Sequence, residues 1–142
     1  MKVSEIMTKA VVTINSEDNV KVAADLMKEH DIGSIPVCAS GKIIGVITDR
    51  DIVLRTVADG KNGTEQSVRS IMTSTPVVAS PDMDVTEAAR IMSERQIRRL
   101  PVVRDGKLAG IVSLGDFAVE NNTDNCAEKA LSGISSPCCP RV

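Results

Sequence analysis

The sequence predicts a mixed α/β protein made of two copies of one β-α-β-β-α unit packed sheet to sheet. Three observations carry this expectation. Residues 3–55 align with residues 68–120 without a gap. Ile6-Met7-Thr8 falls on Ile71-Met72-Thr73, Pro36-Val37 on Pro101-Val102, Gly41-Lys42 on Gly106-Lys107, Gly45 on Gly110 and Asp51 on Asp116. Shared composition alone would not keep Gly, Pro and Asp in register. Next, Val20, Ala23, Ala24 and Met27, matched by Val85, Ala88, Ala89 and Met92, recur at helical spacing and mark one apolar face. Finally, Ser40-Gly41 and Asp105-Gly106 each separate two apolar runs, and such dipeptides supply the positive φ of a tight hairpin turn.

In chain order, Val11–Ile14 and Val77–Ala79 read as short strands. The amphipathic helices follow, the second opening on Asp84-Val85-Thr86-Glu87, a cap with a Glu three residues on. The hairpins pair Ile35–Ala39 with Lys42–Thr48 and Leu100–Arg104 with Lys107–Ser113. A second helix of each unit starts at about Asp49 or Leu114. One such unit is too small to bury its own sheet well, and two copies solve that problem. Residues 1–59 form the first repeat, the polar stretch 60–67 with its two glycines a linker, 68–121 the second repeat, and 122–142 a tail. The tail carries a short helical run at about Asp124–Leu131 and ends in Ser-Ser-Pro-Cys-Cys-Pro, a frayed terminus.

The chain has 142 residues, is 42% hydrophobic and carries a formal charge of -2. It contains one Phe and no Tyr or Trp, so the core must be aliphatic. Single-stranded nucleic acid is gripped by aromatics in a basic groove, and this composition opposes that function. No apolar run is long enough to span a membrane, and the N-terminus lacks an apolar block of signal-peptide length. The expectation is a cytoplasmic protein that binds neither membrane nor nucleic acid. Cys38 reads as a small core residue. Cys126, Cys138 and Cys139 lack zinc-finger spacing, and the one histidine, His30, lies far from them in sequence, so no metal site is expected. Met7, Met27, Met72 and Met92 match between the halves and read as core. Catalysis finds little to work with: no metal-ligand cluster, no P-loop and no Ser/His/Asp set without His30. Asp51 and Asp116 are equivalent by repeat, unlike an acid–base pair whose environments differ.

The pattern Ile-Met-Thr, an apolar helix, I-x-x-x-P-V, then G-K-x-x-G-h-h-[ST]-x-x-D, occurs twice and resembles that of cystathionine-β-synthase (CBS) domains over residues 3–120. With no catalytic or transport domain attached, the chain is similar to stand-alone bacterial CBS pairs (Bateman modules). The resemblance implies a pseudo-two-fold pair with two clefts that take AMP, ADP, ATP or S-adenosyl compounds, and a homodimer shaped as a flat disc.

On that resemblance, Thr48 and Asp51 hold the ribose of one nucleotide, with Arg50 beside them. Arg98 and Arg99 meet its phosphates, and Val77, Val78, Ile97 and Pro101 flank its adenine. Hydroxyls and free N–H groups at a helix start do attract phosphate, and a carboxylate can accept from ribose hydroxyls. The same [ST]-x-x-[DE] spacing also closes a helix start as a capping box with no ligand, and the two roles are compatible. The second cleft would use Ser113, Asp116, Val11, Val12, Ile32 and Pro36. It lacks the basic pair, because Gly33 and Ser34 stand where the second repeat has Arg98 and Arg99. Arg50 against Gly115 adds to the asymmetry. The sequence therefore points to a regulatory module with one phosphate-competent cleft and a second, weaker one. A ligand-free structural or protein-interaction dimer is the alternative. The physiological ligand and the regulated protein are not written in the sequence.

Overall fold

The computed structural model describes residues 1–74, 77–119 and 124–135. The chain divides into two packing units. One runs from Val12 to Ser74; the other joins Met1–Val11 to the described residues from Val77 onward.

The Val12–Ser74 unit contains β1 (Ile14–Asn15), α1 (Val20–His30), β2 (Ser34–Ala39), β3 (Lys42–Thr48), α2 (Asp49–Ile52) running into a π-helical turn (Val53–Val57), α3 (Val68–Ile71) and β4 (Thr73–Ser74). Its sheet has the order β1-β2-β3-β4, with β1 parallel to β2 and the other pairs antiparallel. The second unit has α4 (Val85–Arg95), β5 (Arg99–Arg104), β6 (Lys107–Ser113), α5 (Leu114–Val119) and α6 (Asp124–Ser135). Here β5 and β6 form the hairpin, while single bridges from Ala79 to Val102 and from Thr8 to Ile111 occupy the tracks of β1 and β4. The β-α-β-β-α order and the α/β class are as the sequence predicts.

Local chemistry explains the elements. Ser40 and Gly41 have φ of 52° and 78°, and Asp105 and Gly106 have 53° and 79°, the double positive φ that a two-residue hairpin needs. Asn19 caps α1 by accepting from the Val22 N–H at 3.0 Å, and the helix stops where Asp31 turns left-handed, as Gln96 does after α4. Asp84 caps α4 through the Thr86 N–H at 2.8 Å, but the expected box does not close. Glu87 turns outward to Arg90, which also binds Glu94, because a guanidinium three residues on offers a charge-assisted fork. The first β run is shorter than expected. Only Ile14–Asn15 pairs, while Val11 and Val12 lie where the chain passes from one unit to the other.

The packing units differ from the sequence repeats in a reciprocal way. The segment Val3, Ile6 and Met7 opens the first repeat but packs into the core of the second, with Val85, Met92, Leu100, Val112 and Phe117. Val68, Ile71 and Met72 open the second repeat but pack into the core of the first, with Val20, Ile35, Val37 and Ile47. Residues 60–67, the expected linker, also belong to the Val12–Ser74 unit, where the Val20 N–H donates to Gln66 O at 2.9 Å. The glycines explain the exchange. A Cβ on Gly45 would lie 2.7 Å from Thr73 O, and one on Gly110 would lie 2.7 Å from Thr8 O. Each Ile-Met-Thr segment thus lies flat against a glycine at the edge of the other repeat's hairpin.

Helix α6 begins where expected and runs four residues further, to Ser135. Ala130 enters the core beside Phe117, and Gly133 sits against Ser93 of α4, where no Cβ would fit. The Ser136–Val142 end, with Cys138 and Cys139, lies outside the described residues.

Candidate functional site

Each hairpin carries its candidate chemistry at one end. The β2–β3 register sets Ser34 opposite Thr48, and the Asp49 N–H donates to Gly33 O at 3.0 Å. The β5–β6 register sets Arg99 opposite Ser113, and the Leu114 N–H donates to Arg98 O at 3.0 Å. In both units the x-x-P segment and the [ST]-x-x-D segment are therefore neighbours, joined through the strand-to-helix turn.

Both turns are closed capping boxes. Asp51 Oδ2 accepts from the Thr48 N–H at 2.9 Å, and Thr48 Oγ1 accepts from the Asp51 N–H at 3.1 Å. Asp116 Oδ2 accepts from the Ser113 N–H at 2.7 Å, and Ser113 Oγ accepts from the Asp116 N–H at 3.4 Å. Asp51 is buried, and its Oδ1 is 4.0 Å from Arg55 Nη1, which also donates to Ile71 O at 2.8 Å. The caps use one oxygen of each carboxylate. A second oxygen with its own lone pairs remains for further donors.

The electrostatics of the two ends differ. Arg98 and Arg99 are both exposed, and among the described residues neither enters an ion pair. At the matching place in the first repeat, a Cβ on Gly33 would meet Asp49 Oδ2 at 3.1 Å, so a carboxylate stands where the other hairpin presents guanidinium. Arg50 is exposed and lies beside that carboxylate, its N–H donating to Asp49 Oδ1 at 2.8 Å. A Cβ on Gly115 would make only an ordinary contact with Ser113 Oγ, at 3.7 Å, and nothing in the structure explains its departure from arginine.

The predicted residues divide between the units as follows. Thr48, Arg50 and Asp51 share theirs with Val12, Ile32 and Pro36. Arg98 and Arg99 share theirs with Val11, Val77, Val78, Ile97, Pro101, Ser113 and Asp116. Pro36 and Pro101 are buried, Ile32, Val12, Val77 and Ile97 pack at the margins of the two cores, and Val78 is exposed. Two features escaped sequence reasoning. Arg55 lies four residues after Asp51, a spacing that could have signalled it. The Gly33–Asp49 contact depends on hairpin register and had no local signal. Cys38 is half-buried and belongs to neither core cluster, so it is not the core residue the sequence suggests; the burial it has raises its thiol above the usual range. Among the described residues, no group of three or more His, Cys, Asp or Glu is placed to hold a metal ion, and no helix is long and apolar enough to cross a membrane.

Comparison with known proteins agrees with this architecture. The CBS-domain family model matches residues 3–57 and again 68–120. The chain is 42% identical over 133 residues to the CBS domain-containing protein YhcV of Bacillus subtilis, covering 94% of each. The crystal structure of hypoxic response protein I, solved with two coordinated zinc ions, superposes with a TM-score of 0.77 at 30% identity, covering 83% of this chain and 97% of that one. A hexameric CBS-CP12 protein from bloom-forming cyanobacteria gives a TM-score of 0.74 at 33% identity, covering 86% of this chain and 68% of that one. Two repeats of matching fold, each ending its hairpin in a Thr/Ser-x-x-Asp cap, make this chain a tandem CBS-domain protein.

Proposed function

We propose that the protein is a non-catalytic regulatory module that senses an adenosine-containing ligand: AMP, ADP, ATP or an S-adenosyl compound. The observation that carries this reading is the pair of exposed arginines, Arg98 and Arg99, beside a capped carboxylate with an oxygen to spare. Each ionic hydrogen bond to phosphate is worth about 1.5–3 kcal/mol. Two arginines can therefore decide whether a phosphorylated ligand is held. Thr48 and Asp51, with Arg50, and Ser113 with Asp116 supply the ribose contacts. Val77, Val78, Ile97 and Pro101 flank one adenine, and Val11, Val12, Ile32 and Pro36 flank a weaker second ligand. Binding would shift the populations of two conformations, which a regulated protein then reads.

The hairpin register favours a second assignment for the phosphate. Arg99 is opposite Ser113, so the arginines can serve the nucleotide whose ribose is held by Asp116 rather than by Asp51. Single substitutions separate the two: the carboxylate whose loss abolishes the same binding event as Arg98→Ala/Arg99→Ala is the partner.

Calorimetric titration with AMP, ATP and S-adenosylmethionine tests the function. No heat with any of them at millimolar concentration refutes the sensor reading and leaves a structural or protein-interaction dimer. If AMP binds, Arg98→Ala/Arg99→Ala should weaken it far more than it weakens adenosine. Equal losses remove the arginines from the phosphate.

A further inference from the structure

Arg55 stands beside the Asp51 oxygen that the Thr48 cap leaves free. It lies inside the π turn Val53–Val57, where the Ala58 N–H reaches back to Val53 O at 2.8 Å. Such turns are rare and occur often at functional sites. Three contacts fix the residue in place. Its Nη1 donates to Ile71 O at 2.8 Å, at the end of α3, where a helix carbonyl needs an outside donor. Its own carbonyl accepts from Gln66 Nε2 at 3.3 Å. The neighbouring Thr56, 3% exposed, donates through its hydroxyl to Gln66 Oε1 at 2.6 Å. The guanidinium itself stays half-exposed and so open to a ligand.

Arg55 Nη1 and Asp51 Oδ1 are 4.0 Å apart, too far for a direct hydrogen bond and close enough to share one atom. An oxygen about 2.8 Å from each fits between them, with an angle of about 90° at that oxygen. Nη1 carries two N–H groups, and Ile71 O takes one of them. Oδ2 is taken by the Thr48 N–H, which leaves Oδ1 as the acceptor. The shared atom must therefore accept from the guanidinium and donate to the carboxylate. A hydroxyl does both, whereas an ether oxygen cannot donate and an ammonium cannot accept. Asp51 is buried, so a ligand that lacks the hydroxyl leaves its charge short of a donor, which is costly.

We propose that Arg55 is a specificity-determining residue: with Asp51 it forms a donor–acceptor pair that takes a single ligand hydroxyl and rejects the deoxy analogue. This rests on the adenosine-ligand reading above and adds to it a contact residue and a selectivity, ribose over deoxyribose. The contact with Ile71 O holds the guanidinium ready, so little side-chain freedom is lost when the ligand arrives. A residue that only capped α3 would support every ligand equally.

Calorimetry with AMP and ATP, and with the 2′-deoxy and 3′-deoxy forms of each, tests it. The binding event meant is the one that Asp51→Ala abolishes. The wild type should take the ribonucleotide about tenfold or more tightly than one of its two deoxy forms. Arg55→Met should weaken the ribonucleotide by about tenfold and that deoxy form by no more than about twofold, so the preference collapses. Arg55→Lys keeps one charged donor and should retain part of the preference. It carries the same test if urea denaturation shows Arg55→Met to be unfolded. A preference that survives both variants, with all ligands weakened equally, overturns the proposal and leaves Arg55 as a cap for α3. So does a wild type that binds ribo and deoxy forms alike. A wild type that binds neither AMP nor ATP refutes the nucleotide form of the sensor reading and this proposal with it, whereas nucleotide binding without the Arg55 effect refutes this proposal alone.

Discussion

Replacing Gly110 by Ala should destabilise the protein by about 1–3 kcal/mol, the usual cost of adding a methyl to a filled site. The added Cβ would lie 2.7 Å from Thr8 O and 2.8 Å from Met7 Sδ. The thioether can swing away, but the carbonyl cannot. Thr8 O accepts from the Ile111 N–H at 2.9 Å and the Thr8 N–H donates to Ile111 O at 2.8 Å, so relieving the overlap means pulling this bridge apart. Two backbone hydrogen bonds contribute about 0.5–1.5 kcal/mol each. A gain of about 0.4–1 kcal/mol from the stiffer unfolded chain offsets part of that. Urea denaturation followed by circular dichroism reads the difference as a lower midpoint, and the melting temperature should drop by about 2–5 °C per kcal/mol. Gly115→Ala is the internal control, because its Cβ meets only Ser113 Oγ, at 3.7 Å. That change should be neutral or stabilising by up to about 1 kcal/mol. If Gly110→Ala melts with the wild type, or both variants fall equally, close approach by the Ile-Met-Thr segment is not why glycine stands there.

Other outcomes follow from the same geometry. Asp51→Ala removes the carboxylate that accepts from the Thr48 N–H and leaves the Thr48 Oγ1 cap on the residue-51 N–H in place, so the ligand-free protein should lose about 1 kcal/mol by urea titration; an unchanged midpoint would show that half of the box to be idle. Gly133→Ala drives a methyl into Ser93 and should lower the melting temperature, with Ser93→Gly restoring it; no restoration would mean α6 packs differently. Asp84, through its bond from the Thr86 N–H, and Glu87, through Arg90, are both held below the usual carboxylate range. Their folded values lie below their unfolded ones, so the stability they add is complete above the ordinary carboxylate range and is lost as pH falls through the lowered values. Thermal melts from pH 6 downward should show this decline, and Asp84→Asn should flatten it; identical slopes would remove Asp84 from the account.

The parts of the fold written locally were legible. Ser40-Gly41 and Asp105-Gly106 announce hairpins because few other residues tolerate two successive positive φ values. Val20, Ala23 and Met27 announce a helix because their spacing alone builds one face. Thr48, Asp51, Ser113 and Asp116 could be read as a cap or as a ribose site, and the structure shows the cap while leaving an oxygen on each carboxylate. What the sequence hid is relational. Nothing in Ile6-Met7-Thr8 says that its partner strand ends at Ser113 rather than Thr48. Nothing in Glu87 says that Arg90 will outcompete the helix N-terminus. The opposite charges beside Thr48 and Ser113 emerge only when Asp49 is seen folded against Gly33.

The exchange of opening segments changes what counts as half of this protein. A gene cut at the polar stretch after Ala58 would look natural in an alignment. The first product would lack Val68, Ile71 and Met72, three of its ten buried core side chains, and would bare the edge of Lys42–Thr48 at Gly45. Its counterpart would lose Val3 and the cover over Gly110. Open strand edges of this kind invite pairing with other chains. The self-contained piece starts at Val12 and ends past Ser74, a boundary no repeat alignment draws. Each repeat therefore enters the world already holding a part of its twin.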